Sequence, residues 1–171
     1  MCPDCAKEYD DEKTRRYDAQ PVCCNECGPE VYLIGRSERG RDAITCTRRM
    51  ISDGKIVAII GIGGFHLCCD ATNEEAVQRL RTLKRRPAKP FAVMAKDEAV
   101  IKRECIVTPE QEAILTGHQK PILLLDKETG GRLAPSIAPG NPKVGVMLPY
   151  APVQLLIFQY DDGIKMPDIL V

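Results

Sequence analysis

Hydrophobic positions in residues 31–171 change period several times, from short continuous apolar runs to stripes with helical spacing. The continuous run at 56–60 is rich in β-branched residues and predicts a strand buried on both faces, and the run at 91–94 predicts a second strand. Apolar residues between 76 and 83 recur at helical spacing and predict a helix. Strands that alternate with helices in this way predict an α/β domain with a mixed or partly parallel sheet.

Capping and turn residues place the other predicted elements. Thr108, Pro109 and Gln111 form the start signal of a helix, with threonine as the cap and proline at the first helical position. The pattern at 72–75 predicts a capping box at the start of the helix whose apolar residues lie between 76 and 83. Gly54 predicts the end of an earlier helix. Further strands are predicted at 31–34, 121–125 and 144–148, and further helices at 42–53 and 151–159.

The first thirty residues have a different texture, because they contain few large apolar side chains. Such a segment cannot offset the conformational entropy lost on folding by burial alone, so it needs another source of stability. The sequence therefore predicts two parts, a small module at 1–30 and the α/β domain at 31–171.

Four cysteines supply that stability in the predicted module. Cys2 and Cys5 are separated by two residues, and after eighteen more residues Cys24 and Cys27 repeat the spacing. Two such pairs complete a tetrahedral all-thiolate shell for Zn²⁺ and leave no position for a catalytic water, so the predicted site is structural. Iron–sulfur ligation is the chemical alternative. Cys23 could replace Cys24, but only Cys24 keeps both pairs at the same spacing.

Composition and charge narrow the classes of function. The formal net charge is zero, from 24 basic and 24 acidic residues, which argues against a generally cationic nucleic-acid binder. The total conceals an acidic segment, residues 1–27 with a balance of −3, and a basic one, residues 79–103 with a balance of +7. No apolar run is long enough for a membrane span, and no signal peptide is visible, so we expect a cytoplasmic protein with reduced thiols.

A glycine-rich stretch at 61–64 directly follows the strand predicted at 56–60. Glycines let backbone N–H groups approach an anion, but this pattern is also that of a plain strand-to-turn transition. His66 is compatible with a hydrogen-bonded structural role as well as with a site. Cys68 and Cys69 come next and are expected to pack as small apolar side chains rather than to act as nucleophiles.

Four cations fall within six residues at the end of the predicted helix that begins near residue 74. Lys84, Arg85, Arg86 and Lys89 occupy a segment that prolines make rigid, directly before a strand. Three interpretations remain open: a solvated helix end favoured by the helix dipole, a polyphosphate site, and a nucleic-acid-binding stripe.

The motifs, taken in order, resemble the HypF family of hydrogenase-maturation carbamoyltransferases. The matching patterns are the cysteine module at 2–29, the glycine-rich run at 61–67, the basic run at 84–94 and the Gly-Val-Met-Leu-Pro-Tyr run at 145–150. The resemblance implies a YrdC-like open twisted mixed sheet with helices, truncated, preceded by a four-cysteine zinc finger. It also implies a fragment, because family members add an acylphosphatase domain, another finger, the rest of the YrdC-like domain and a transferase domain.

The resemblance implies an activity. Members of the family use carbamoyl phosphate and ATP to form carbamoyl adenylate, and they pass the carbamoyl group to the C-terminal cysteine of the partner HypE. The group ends as cyanide on the iron of nickel–iron hydrogenase. We expect the fragment alone to be incomplete for catalysis. The alternative is a zinc-containing module that binds double-stranded RNA or nucleotide without catalysis.

The resemblance also assigns six residues to a nucleotide- and phosphate-binding site. They are Lys84, Arg86, Lys89, Gly63, Gly64 and His66. The three cations are expected to contact the ATP phosphates together with Mg²⁺, and the other three to lie beside the ligand cleft. The chain departs from the family at Ile60, where a lysine is usual, so one cation near the cleft is missing.

Overall fold

The computed structural model describes residues 1–171, which form two units, Met1–Ala43 and Ile44–Val171. The helices are α1 (Pro3–Asp10), α2 (Gly40–Ser52), α3 (Glu74–Leu83), α4 (Glu98–Glu104), α5 (Pro109–Thr116) and α6 (Pro152–Gln159). The strands are β1 (Val57–Gly61), β2 (Gly64–Cys68), β3 (Ala92–Ala95), β4 (Cys105–Ile106), β5 (Leu123–Lys127), β6 (Lys143–Met147) and β7 (Ile169–Leu170). None of the helices has the length and apolar character needed to cross a membrane.

A mixed five-stranded sheet organises the second unit, with the strand order β4-β5-β6-β3-β7. Only β3 and β6 are parallel, with Ala92 opposite Gly145, and the other neighbouring strands are antiparallel. β1 and β2 form a separate antiparallel hairpin. The predicted α/β class with an open mixed sheet is confirmed.

Apolar side chains cover both faces of the sheet, because successive residues of a strand point to opposite sides. Val93 of β3 and Val146 of β6 pack in a cluster with residues from α3, α4 and α5. Met94 and Met147, their neighbours along the same strands, pack in a second cluster with residues from α2 and α6. The central strands are therefore enclosed between two layers of helices.

Several local predictions are correct because their signals lie within one turn. Thr108 caps α5 with its hydroxyl oxygen, which accepts from the Gln111 amide, and the Gln111 side chain accepts from the Thr108 amide in return. The helix before the first strand ends where predicted, and Gly54 there has a φ of +74°. α3 begins one residue later than the predicted box, since Asn73 accepts from the Ala76 amide.

Other predictions are wrong because they depend on distant partners. The run at 56–60 is not buried on both faces: β1 pairs only with β2, and Ile60 is 64% exposed. No strand forms at 31–34, where Tyr32 makes a single bridge with Arg39. α1, α4, β2 and β4 have no counterpart in the sequence prediction.

Two buried charged residues, Arg48 and Glu104, stabilise the second unit through side-chain hydrogen bonds that are separate from the hydrogen bonds between strands. Arg48 donates Nε to both carboxylate oxygens of Asp162 (3.1 and 3.0 Å), Nη1 to the Ile157 carbonyl (2.6 Å) and Nη2 to the Ile164 carbonyl (3.0 Å). The side chains of the pair are 4% and 8% exposed. This contact ties α2 to the chain that leaves α6.

The second buried group is Glu104, at the end of α4, which is 1% exposed. Its carboxylate accepts from Arg103 Nε (2.7 Å) and from the backbone amides of Arg132 (2.6 Å) and Leu133 (3.2 Å). The guanidinium groups of Arg103 and Arg132 also donate to Asp168, directly before β7. The network therefore fixes the strand that covers the free edge of β3.

Candidate functional site

The four predicted cysteine ligands come together in the first unit. The Sγ atoms of Cys2, Cys5, Cys24 and Cys27 all lie within 4.8 Å of one another, with 3.6 Å between Cys2 and Cys24 and 3.9 Å between Cys24 and Cys27. A tetrahedral zinc site with Zn–S bonds of about 2.3 Å requires S–S edges of about 3.8 Å. The thiol geometry therefore fits a structural zinc ion.

Local backbone structure explains how each pair is presented. Cys2 is the N-cap of α1, and Cys5 lies in its first turn. In the second pair, the Gly28 amide donates to the Cys24 carbonyl (2.8 Å), and a Cβ at position 28 would lie 2.7 Å from that oxygen, so the turn requires glycine. Cys23 is exposed and outside the cluster.

The thiols of the cluster differ in acidity. Hydrogen bonds from the backbone amides of Glu26 and Cys27 lower the pKa of Cys24. The pKa of Cys27 is lowered to about 6, and its hydrogen bond with the backbone of Cys24 has the largest effect. Burial, followed by hydrogen bonds to the other thiols, raises the pKa of Cys5 to about 12. Ionisation of Cys5 thus requires a bound cation, which is the role of zinc in an all-cysteine site.

The three predicted phosphate-binding cations lie in the loop between α3 and β3, residues 84–90, which we call the basic loop. The ammonium groups of Lys84 and Lys89 are exposed and have no partner in the chain. Arg85 is also exposed and unpaired, and its φ of +49° is uncommon for a residue with a Cβ. No carboxylate pairs with the loop, so its positive charge is available to an anion.

Arg86 is placed differently from its neighbours. Its Nε donates to the Lys89 carbonyl (3.1 Å) and its Nη2 to the Pro90 carbonyl, and its guanidinium lies 5.1 Å from the centre of the Phe91 ring. Only Nη1 is left without a protein partner. Arg86 therefore stabilises the loop with most of its donors and can offer one nitrogen to a ligand.

The glycine-rich stretch turns between β1 and β2. Gly64 has a φ of +132°, and a Cβ at Gly63 or Gly64 would meet nothing within 4 Å, so this turn is open to an approaching ligand. At Gly61 a Cβ would lie 3.0 Å from the His66 ring, which packs against the turn. Exposed Ile60 lies on the same hairpin.

His66 lines a small apolar cleft between the hairpin, the end of β3 and α6. Its Nε2 is 3.5 Å from the Tyr150 hydroxyl. The side-chain oxygen of Gln154 accepts from the Tyr150 and Ala151 amides, so its Nε2 is turned into the structure, where it is buried without a partner beside the same cleft. Neither Gly63, Gly64 nor any cation of the basic loop lines this cleft, so the six predicted residues occupy two places, the hairpin and the loop.

Two features of this region were missed by the sequence analysis. One is Gln154, whose unpaired amide has no sequence signal. The other is Arg81, a buried cation directly behind the basic loop. Its position one helical turn after Val77, on the apolar stripe of α3, is the signal that could have revealed it.

The two adjacent cysteines at the end of β2 are packing residues, as predicted. Cys68 and Cys69 are 6% and 0% exposed, and burial raises their pKa to about 11 and about 12. A thiol with such a pKa is protonated near neutrality and is a poor nucleophile.

The cluster of four cysteines and the fold define a class of protein, a four-cysteine finger followed by an α/β domain with an open mixed sheet. Residues 49–168 match the model of the Sua5, YciO and YrdC family, described as telomere recombination, and the chain belongs to this family. Residues 1–34 match the model of the HypF finger.

Similarity to HypF proteins extends over almost the whole chain. The carbamoyltransferase HypF of Rhodobacter capsulatus is 45% identical over 165 residues, which are 96% of this chain and 22% of that protein. The HypF crystal structure from T. kodakarensis superposes with a TM-score of 0.82 at 42% identity and covers 100% of this chain. A full-length HypF in a phosphate- and nucleotide-bound form gives a TM-score of 0.78 at 45% identity and covers 99%.

These relatives confirm the resemblance to the HypF family and the YrdC-like fold with its finger. The chain spans about a fifth of the length of the relatives it matches, 22% in each of these three cases.

Proposed function

We propose that this chain is the part of a HypF-type carbamoyltransferase that forms carbamoyl adenylate, with a zinc finger at 1–30 and a partial YrdC-like domain at 31–171. The observation that carries the proposal is the similarity to HypF over almost the whole chain, in which the basic loop keeps its exposed cations unpaired. A HypF relative with bound phosphate and nucleotide supports a nucleotide as the ligand.

The chemistry of the step explains why cations are needed. An oxygen of carbamate attacks the α-phosphorus of ATP, the bond from that phosphorus to the bridging oxygen breaks, and pyrophosphate leaves. Negative charge builds on the leaving group, so fixed positive charge lowers the barrier. The ammonium groups of Lys84 and Lys89 and the free Nη1 of Arg86 would supply it. Mg²⁺ bound with the nucleotide would add further positive charge.

The hairpin supplies the other side of the proposed site. The open turn at Gly63 and Gly64 lets backbone approach the ligand, and His66 lies behind it with Tyr150 at its ring nitrogen. We assign these residues to the neighbourhood of the ligand and not to a proton transfer.

The proposal places the chain in a longer reaction sequence, in the cytoplasm. Carbamoyl phosphate would be the source of carbamate, and the C-terminal cysteine of HypE would accept the carbamoyl group from the adenylate. Neither step is assigned to residues of this chain, so we expect the fragment to bind ATP but not to complete the transfer.

Titration calorimetry with ATP tests the proposal. We expect Lys84→Ala and Arg86→Ala each to weaken binding by about tenfold, the loss of one charge-assisted contact. The matched control is Lys55→Ala, an exposed lysine without a side-chain partner outside the loop. Binding that is unchanged in both loop variants would contradict the phosphate assignment.

The same exposed cations are also compatible with a second function, the binding of double-stranded RNA. Against it stand the acidic finger and the shortage of aromatic residues, which are 5% of the chain. RNA affinity should fall steeply with salt if the loop contacts the phosphate backbone. A duplex that binds more tightly than ATP, with this salt dependence, would favour the second function.

A further inference from the structure

Arg81 is a buried arginine that forms no ion pair, although the Glu74 carboxylate is near enough to act on it electrostatically. It is 8% exposed, and its charge is compensated by backbone carbonyls instead of an ion pair. Nε donates to the Ser136 carbonyl (2.5 Å), Nη2 to the Ile137 carbonyl (3.1 Å), and Nη1 to the carbonyls of Arg86 (2.7 Å) and Lys89 (3.3 Å). A buried guanidinium is costly unless its donors are satisfied, so this arrangement is a specific one.

The carbonyls that Arg81 binds come from two segments. Ser136 and Ile137 belong to a turn of 3-10 helix, and Arg86 and Lys89 belong to the basic loop. A single planar side chain therefore fastens the inner side of the loop to the body of the domain.

A second arginine completes the inner side of the loop. Arg81 and Arg86 lie 4.6 and 5.1 Å from the centre of the same Phe91 ring, and Arg86 binds the carbonyls of Lys89 and Pro90. Carbonyl oxygens repel phosphate, and here those of residues 86, 89 and 90 are turned towards internal guanidinium groups. The outer side of the loop is left to the unpaired cations.

We propose that Arg81 is a positioning residue, which holds the basic loop in the conformation that binds a polyphosphate. This inference rests on the proposed function of the loop. Arginine is required because its flat fork reaches carbonyls in several directions at once, whereas a lysine has one donor atom and cannot span them. Nε, Nη1 and Nη2 of Arg81 each donate to a backbone carbonyl, so the side chain is engaged in holding the loop.

Chemical rescue tests the proposal. In the zinc-loaded chain, Arg81→Ala leaves a space that the guanidinium ion fits, so millimolar guanidinium chloride should restore what the side chain supplied. The probes are ATP and inorganic tripolyphosphate, measured by calorimetry at a temperature where melting curves show every variant to be folded. The matched control is Arg79→Ala, on the same helix, whose guanidinium donates to the Gly54 carbonyl and does not contact the loop.

We expect Arg81→Ala to bind both probes about ten- to a hundredfold more weakly, and guanidinium, but not an equal concentration of sodium chloride, to restore most of the loss. A purely structural role would lower the melting temperature without this rescue of affinity. If Arg81→Ala does not fold, Arg81→Lys is measured instead and should show weakened binding at full charge. Wild-type affinity in the folded variant, or a loss that guanidinium does not reverse, would overturn the proposal.

The two proposals fail in different ways. If the wild-type chain and Lys84→Ala bind both probes equally, the assignment of the basic loop is wrong, and with it this inference. If Lys84→Ala binds weakly while Arg81→Ala binds like wild type, the loop assignment stands and only the positioning role is refuted.

Discussion

Replacement of Arg48 by methionine should destabilise the second unit more than replacement of any exposed cation. In wild type the guanidinium makes four hydrogen bonds, two of them to the Asp162 carboxylate. In Arg48→Met the carboxylate stays buried without its cation, and the carbonyls of Ile157 and Ile164 lose their donor. Methionine keeps much of the apolar volume, so the change isolates the polar contacts.

The expected magnitude follows from the burial of the pair. Removal of one partner of a buried ion pair costs about 3–5 kcal/mol, whereas an exposed pair contributes about 0.2–1 kcal/mol. The Arg48 and Asp162 side chains are 4% and 8% exposed, against 43% and 54% for Lys143 and Asp126. Lys143→Met is therefore the matched control.

Urea unfolding of the zinc-loaded chain, followed by circular dichroism, measures the difference. With a slope of about 2 kcal/mol per molar urea, Arg48→Met should lower the midpoint by about 2 M, and Lys143→Met by less than about 0.5 M. The double variant Arg48→Met, Asp162→Leu should recover much of the loss, because no buried charge remains. Equal midpoints for the two single variants would refute the reasoning.

The effect should depend on pH in a defined direction. Burial raises the pKa of Asp162, but the Ile164 amide, Thr45 and Arg48 together outweigh it, so the pKa lies below its ordinary value. The stability that this carboxylate contributes is therefore fully present above the unfolded pKa of about 3.9 and is lost as the pH falls through the folded value. The gap between wild type and Arg48→Met should narrow below about pH 4.

Two further predictions concern the finger and the Glu104 network. Metal analysis should find about one zinc per chain, which Cys24→Ser removes and Cys23→Ser leaves in place, since only Cys24 belongs to the cluster; zinc retained by Cys24→Ser would contradict the ligand set. Glu104→Gln should lower the free energy of unfolding by about 2 kcal/mol, measured in urea, because two charge-assisted contacts are weakened in a buried site. The control is Glu112→Gln, because the partner of Glu112, Lys102, is half-exposed; it should lower the free energy of unfolding by less than about 1 kcal/mol. Equal losses in Glu104→Gln and Glu112→Gln would contradict the effect assigned to burial.

The sequence predicted those parts of the fold and site whose signals are local. The Thr108 capping box and the paired cysteines depend on residues a few positions apart, and the structure has both. The exposure of Ile60 could not be predicted, because an apolar run does not show whether one strand or two will pair with it. The roles of Arg48 and Arg81 also could not be predicted, since most of their partners are backbone carbonyls distant in the chain.

Within the candidate site, residue type was more predictable than orientation. Its four cations predict the basic loop, and the three exposed ones, Lys84, Arg85 and Lys89, are unpaired as a phosphate site requires. That Arg86 turns inward while Lys84 and Lys89 face solvent depends on Phe91 and on the carbonyls of the folded loop. Tertiary packing decides which of the neighbouring cations turns inward and which faces solvent, and a sequence motif does not show this.

The parallel pairing of β3 with β6 sets the order in which the chain can fold as it leaves the ribosome. The β1–β2 hairpin and the four-cysteine cluster join residues that are close in sequence, so they can form early. Ala92 must wait for Gly145, and Met94 for Leu170, so both edges of β3 stay unpaired while the intervening residues are made. An unpaired apolar strand is a template for aggregation, and the nascent chain is therefore most dependent on chaperones during that interval.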